Sequence, residues 1–400
     1  MKTIKEKYSF KELLLVALLI LVSGSPNLNI PIVFGGLGIL ALLYSLLSGN
    51  IRNRGNLWKY ILFICVIFFG QIIVLDFISV LGSINVIAKI IFGATVMWVV
   101  KERFRGLYLN VMYFFAAVSL IFFFLEMFGI KVPDLFPVAP NRNSILIFNS
   151  LNISKLRNCG PFWEPGAFAC YIILIPLLYI NNLREFVSNN KKKVLVITLA
   201  LITTISTTGY ICLFAIIIYY YIKDSKNKVL TYFVYLPISL FVIYYAYNNL
   251  EFMSSKIEEQ TERTIDKDGE FTNTRLGSLL FDIYYIEKHP IVGNGLHEKT
   301  RYADHPMLWG ENLGHGNAFS NYTAQMGVIA LLVYFILVYR AFNKKIIVPI
   351  IIILLFQGEQ LMNYPLFPAL PFIILPFNRN SHKQIAYNIY EKRCNNNNSI

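Results

Sequence analysis

The sequence predicts an all-α, polytopic transmembrane protein of about 12 spans, with both termini cytoplasmic and two large outer loops. Composition is the first observation behind that prediction. Of 400 residues, 56% are hydrophobic and only 15% are charged, with mean hydropathy +0.53, where a soluble domain carries about 25% charged residues. The second is that apolar runs near the roughly 20 residues needed to cross a bilayer recur along the chain. The third is that Lys and Arg gather in alternate connecting segments, as cytoplasmic loops do.

The elements follow in order. The first 25 residues are basic and then apolar, like a signal peptide, but no Ala-x-Ala-like cleavage site follows, so an uncleaved first span is expected. The predicted spans are 11–23, 30–48, 58–76, 84–100, 107–128, 164–181, 194–208, 209–222, 229–248, 317–339, 346–358 and 361–377. Residues 194–222 could form one tilted helix, yet Ser206-Thr207-Thr208-Gly209 reads as a turn, and 346–377 breaks at Gln357-Gly358-Glu359-Gln360. Charge decides for two spans in the first case. Only then do Arg184 with Lys191–Lys193, Lys223 with Lys226 and Lys228, and Arg340 with Lys344 and Lys345 share one side with the basic N-terminal residues. The net charge of +13 is therefore mostly an orientation signal, and no basic folded domain suited to nucleic acid is visible.

The resulting divisions are N-terminal spans 1–128, a first outer loop 129–163, central spans 164–248, a second outer loop 249–316, C-terminal spans 317–377 and a cytoplasmic tail 378–400. Loops this long beside compact structure are functional or disordered. The second holds about half of the 23 acidic residues, a charged stretch 254–270, and a predicted surface helix 273–288. That helix would place Leu276, Leu280 and Ile283 on one face, be capped by Asn273 or Thr274, and end at His289-Pro290. The alternative for this loop is a lid without chemistry.

Cysteine usage implies no disulfide framework: Cys65, Cys170 and Cys212 lie in spans, Cys394 in the tail, and Cys159 alone on the outer side. His289, His297, His305 and His315 share the second outer loop, but none is three or four residues from another, so no metal site is expected. Among polar residues in spans, Asp76 and Glu126 fall near outer ends, Lys89 can snorkel outward, and Glu359 sits at the break. A proton- or ion-coupled transporter would place several charges near the bilayer midplane, which argues against that class.

The densest polar segment at a membrane edge is Arg157-Asn158-Cys159-Gly160-Pro161-Phe162-Trp163-Glu164-Pro165-Gly166-Ala167-Phe168. Helix entry accounts for Glu164-Pro165, with Pro at the first turn and an acid at the positive end of the dipole. It leaves Arg157 and the two aromatics unexplained, and an arginine at a membrane surface suits a lipid-linked phosphate. Downstream, Arg275 precedes His289-Pro290-Ile291-Val292-Gly293-Asn294-Gly295, and His315-Gly316-Asn317 opens an apolar helix, where polar side chains could equally act as caps.

Taken together, an Arg-x-x-Gly-x-x-x-Glu-Pro entry, an Arg before His-Pro-x-x-Gly-x-Gly, and a His-x-Asn before a helix containing Gly327 resemble the O-antigen polymerase and ligase superfamily over roughly residues 100 to 340. Many members carry Ser-Arg near the short helix pair, where this chain has Ser206-Thr207-Thr208. The resemblance implies a membrane glycosyltransferase acting without cofactor or metal. Its donor is a polyprenyl-diphosphate-linked oligosaccharide, its acceptor a growing glycan, and its place the outer face of the cytoplasmic (inner) membrane. A chain-length regulator and a flippase are implied partners. A sugar hydroxyl attacks the anomeric carbon, and polyprenyl diphosphate leaves as a stable anion that needs positive charge rather than a general acid. Arg157 and Arg275 would hold that diphosphate. His315 would take the hydroxyl proton, and Glu164 would be the reserve base or the partner that positions Arg157. A ligase transferring finished glycan is the alternative within the family. A lipid-oligosaccharide flippase is the alternative from another class, and would want arginines inside the spans.

Overall fold

Five N-terminal helices follow the first five apolar runs: α1 (Phe10–Val22), α2 (Pro31–Leu47), α3 (Gly55–Leu75), α4 (Val80–Val100) and α5 (Phe104–Met127). They belong to a computed structural model that describes residues 8–25, 28, 31–47, 55–130, 142–145, 148–152, 156–224, 275–301 and 317–375. The predicted span 229–248, the charged stretch 254–270, His305, His315 and the tail lie outside the described residues. Ser9 and Glu12 form a capping box at the start of α1, and Glu12 pairs with Arg103 at 2.5 Å. Lys101, at φ 49°, breaks the path between α4 and α5.

Three described stretches are long and apolar enough to cross a membrane: Asn56–Leu75, Val80–Met127 and Ala318–Ala341. Their outward faces are apolar too. Leu62, Val66, Phe69 and Ile73 of α3 recur at helical spacing and are all exposed. Such a stripe is costly against water and at ease against lipid tails.

At the centre lies α6 (Pro165–Leu178), in which every residue except Pro176 is buried. A helix that is apolar all round belongs inside a bundle, and α5, α9 (Thr207–Asp224) and α8 (Lys191–Thr203) pack on it. Its 14 residues run only about 21 Å. It bends by 109° into α7 (Leu183–Asn189) rather than filling the predicted run 164–181. The predicted turn near 206–209 is present two to three residues earlier: α8 ends at Thr203, and Ile205 takes φ 48° before α9 begins at Thr207.

Two differences from an all-helical reading stand out. Within 129–163 the chain forms an antiparallel meander of β1 (Arg142–Ile145), β2 (Phe148–Asn152) and β3 (Leu156–Gly160), with Leu151 opposite Arg157. And the predicted span 361–377 is not helical over its described residues, 361–375. Two 3-10 turns, 361–363 and 370–372, sit in otherwise irregular chain. Pro365, Pro368 and Pro371 remove amide donors at every third position. This segment is nonetheless buried at Leu366, Phe367, Ala369 and Leu370. Protein groups satisfy its backbone: Ser23 Oγ accepts from the Leu366 amide at 3.0 Å, and Tyr334 donates to the Phe367 carbonyl at 2.9 Å. Irregular backbone at membrane depth is tolerated under such cover.

The C-terminal half holds α10 (Arg275–Lys288), α11 (Glu298–Arg301), α12 (Ala318–Ala341) and α13 (Ile347–Phe356). The helix predicted over 273–288 is observed from Arg275 and ends before His289-Pro290, its expected cap at Asn273 or Thr274 lies outside the described residues, and its buried face differs. Phe281, Asp282, Tyr285 and Ser278 are buried against α12, while Ile283 is 40% exposed. An acid on the inner face hides that stripe from a reading that follows aliphatic residues alone.

Candidate functional site

The site is built where the first motif enters α6. Arg157 lies on β3, half-buried. Its Nε donates to the Thr204 carbonyl and one Nη to the Ile205 carbonyl, both at 3.0 Å. Asn158 donates to Ser119 Oγ of α5 at 3.1 Å and Thr203 Oγ1 of α8 at 3.0 Å. The pair thereby pins the turn between α8 and α9. The two aromatics act as anchors. Phe162 packs 4.2 Å from the Tyr171 ring and fills the space beside Gly24, where any Cβ would strike it. Trp163 stacks on Tyr364 at 4.3 Å and donates to Glu359 Oε2 at 3.2 Å. Glu164 is the N-cap of α6, ahead of Pro165, and Gly166 leaves room for the Glu359 carboxylate.

Glu359 belongs to the Gln357–Gln360 break, which gathers polar groups from elsewhere. Asn317 donates to Gln357 Oε1 at 2.6 Å, and Asn321 to Gln360 Oε1 at 2.5 Å. Asn317 also caps α12, accepting from the Ser320 amide at 3.1 Å, so the capping role foreseen for this segment is met by the asparagine. His315 itself lies outside the described residues.

Two residues of this layer carry no motif and escape a sequence reading: Asp282 and Arg301. Arg301 pairs with Asp282 and donates to Asn321 Oδ1, and Ser320 donates to the other Asp282 oxygen at 2.6 Å. Burial pushes the Asp282 carboxyl above the usual carboxylate range, while the Arg301 guanidinium and the Ser320 hydroxyl pull it back. Nothing in the local spacing advertises a pair 19 residues apart.

The second motif is a structural clasp. Arg275 is the first residue of α10. After His289 the chain turns, and Asn294 N donates to the Ala324 carbonyl at 2.8 Å, Gly295 N to that of Gln325 at 3.1 Å, and Val328 N to that of Pro290 at 2.8 Å. These bonds replace helical ones, because α12 is kinked at Gly327 (φ 83°, ψ 162°). A Cβ at Gly327 would run into the Ile291 carbonyl. Gln71 of α3 closes the clasp, donating to the carbonyls of Val292 at 2.7 Å and Gln325 at 2.8 Å.

Beside the clasp is a cavity of about 180 Å³ lined by Lys89, Asn85, Tyr60, Tyr322, Gln325 and Asn363, among others. The Lys89 ammonium lies 4.8 Å from the Phe34 ring centroid. A cation–π contact is worth about 0.5–2 kcal/mol, against several kcal/mol to desolvate an ion. The ring alone does not offset even partial desolvation of that half-buried charge.

Comparison with family models, curated proteins and solved structures returns no match for this chain.

Proposed function

We propose that the protein is a membrane glycosyltransferase that joins polyprenyl-diphosphate-linked oligosaccharide units into a polysaccharide on the outer face of the cytoplasmic membrane. One observation carries the reading. The first and third motif segments, about 150 residues apart in sequence, bond to the same Gln357–Gln360 turn, and the second docks on the same helix, α12. A purely local role for each motif gives no reason for that convergence. The described parts of both large loops also bond to the C-terminal ends of neighbouring helices: Trp163 N to Gly24 O beyond α1, Gln71 of α3 to Val292, and Ser150 to Glu126 of α5. Charge placement assigns those ends to the outside.

In this reading Arg275 and Arg157 face the donor diphosphate and His315 receives the acceptor proton. Arg157 does so while two of its donors already hold the α8–α9 turn, so it is a positioning as well as a binding residue. Glu164, at the entry of α6, is the reserve base. The test is a gel of surface glycan from cells carrying His315→Ala, with a blot for the protein. Single repeat units on the final acceptor are expected. Normal long chains would remove His315 from catalysis, and long chains stranded on the lipid carrier would identify a ligase instead.

A further inference from the structure

The cavity beside Lys89 is unused by that reaction scheme. Lys89 stands midway along α4, inside a candidate span. Among the described residues its ammonium meets a ring face and no carboxylate, and no acid lines the cavity. An ionisable group at such a place marks a function by default, and its partner has to be found. Asn85 adds a buried amide oxygen without a hydrogen-bond partner among the described residues; being an acceptor, it calls for a ligand O–H, which a singly protonated phosphate has and a carboxylate lacks. Tyr60 and Tyr322 place two phenol side chains on another wall. Gln325 and Asn363 complete the polar lining.

The walls are fixed in advance. The Gln325 carbonyl is held by both Gln71 and Gly295, and the kink at Gly327 lies two residues further on. Interrupted membrane helices occur where freed backbone is covered by protein or borders a cavity, and they recurrently build ligand sites. About 180 Å³ is more than ten times the roughly 10–15 Å³ that one water needs, yet below the roughly 300 Å³ of ordinary small-molecule pockets. That room suits a headgroup-sized group and excludes a whole sugar chain. A phosphate-class oxyanion offers several acceptor oxygens to the Lys89 ammonium and the side-chain amide N–H groups and, when singly protonated, a hydroxyl to the Asn85 oxygen.

We infer that this cavity binds a phosphate-class oxyanion, carried by a lipid headgroup or free in solution. The inference rests on the cavity alone and is read by binding, so it stands or falls apart from the transfer reaction. Full-length protein in neutral detergent is melted across a titration of inorganic phosphate against chloride of equal ionic strength. The same protein is melted in nanodiscs of phosphatidylcholine with and without phosphatidic acid. A saturable rise in melting temperature is expected in at least one series. Phosphate alone raising it identifies the free ion, and a rise confined to phosphatidic acid identifies a lipid headgroup. Lys89→Met should weaken the midpoint about tenfold or more, the size of one charge-assisted bond, and Lys89→Arg should restore part of it. Should Lys89→Met not fold, amine labelling of wild-type Lys89, followed by mass spectrometry, should be slowed by the same ligand, and Asn85→Leu should weaken that protection. No saturable response in either series, an equal response in Lys89→Met, or labelling indifferent to the ligand overturns the proposal.

Discussion

Arg157 shows how one side chain can serve two ends. Its Nε and one Nη bridge consecutive carbonyls, Thr204 and Ile205, in a turn where Ile205 has positive φ. A lysine keeps the charge but offers a point donor and cannot span both oxygens. Arg157→Lys is therefore expected to cost about 1–3 kcal/mol of stability, read as a lower melting temperature in detergent and faster proteolysis at 204–206. Unchanged melting together with lost polymer would show that its work is on the substrate alone. The arginine itself was legible in the sequence, as a charge where the chain meets the membrane. Its carbonyl partners were not, because nothing in Thr204-Ile205 distinguishes them until β3 is laid against the turn.

At the scale of elements, the clasp on α12 is the decisive joint. Gly327 has a backbone conformation open in practice only to glycine, and the Ile291 carbonyl occupies the place a Cβ would take. Gly327→Ala should cost about 1–3 kcal/mol from backbone strain alone. It should also release the 290–295 turn, seen as faster amide exchange at Asn294 and Gly295. Exchange at the wild-type rate would show that α12 absorbs the change. The helices of this chain were readable because apolar runs mark them, although only three described stretches are long and apolar enough to cross a membrane. The meander at 142–160 was not: its strands are only four or five residues long, too short for a period to show beside longer apolar runs. The inner face of α10 was missed for a different reason. It buries Asp282, whose partner Arg301 is brought in only by the turn between them. At 361–377 the apolar content suggested a span, and the prolines spaced three apart were the stronger signal.

For the whole molecule the question is orientation. The exposed apolar stripes on α3 and α12 fit a bilayer, and the proposed orientation, with the basic clusters towards the cytoplasm, is open to test. Single cysteines at Ile130 and Lys299, both exposed, in a background without native cysteines should react with a membrane-impermeant thiol reagent on intact spheroplasts. One at Ser188, exposed on α7, should react only after lysis. The reverse pattern would turn the convergent motifs towards the cytoplasm and end the proposed reaction, since flipped lipid-linked donors lie on the other face.

The buried proline-rich chain at 361–375 has a consequence for assembly in the cell. A segment with only two short 3-10 turns of its own is poorly suited to enter lipid as an autonomous unit, because the backbone groups those turns leave unpaired would meet hydrocarbon. It needs a waiting groove. That groove is made by α4, where Gly93 leaves space for Pro365 and Ala369, by Ser23 after α1, and by Tyr334 of α12. α1 must therefore be kept at hand, correctly placed, until residues 361–375 have been synthesised. That joint closes when 361–375 locks onto helices made well before it, much as a keystone sets an arch whose two sides were raised separately.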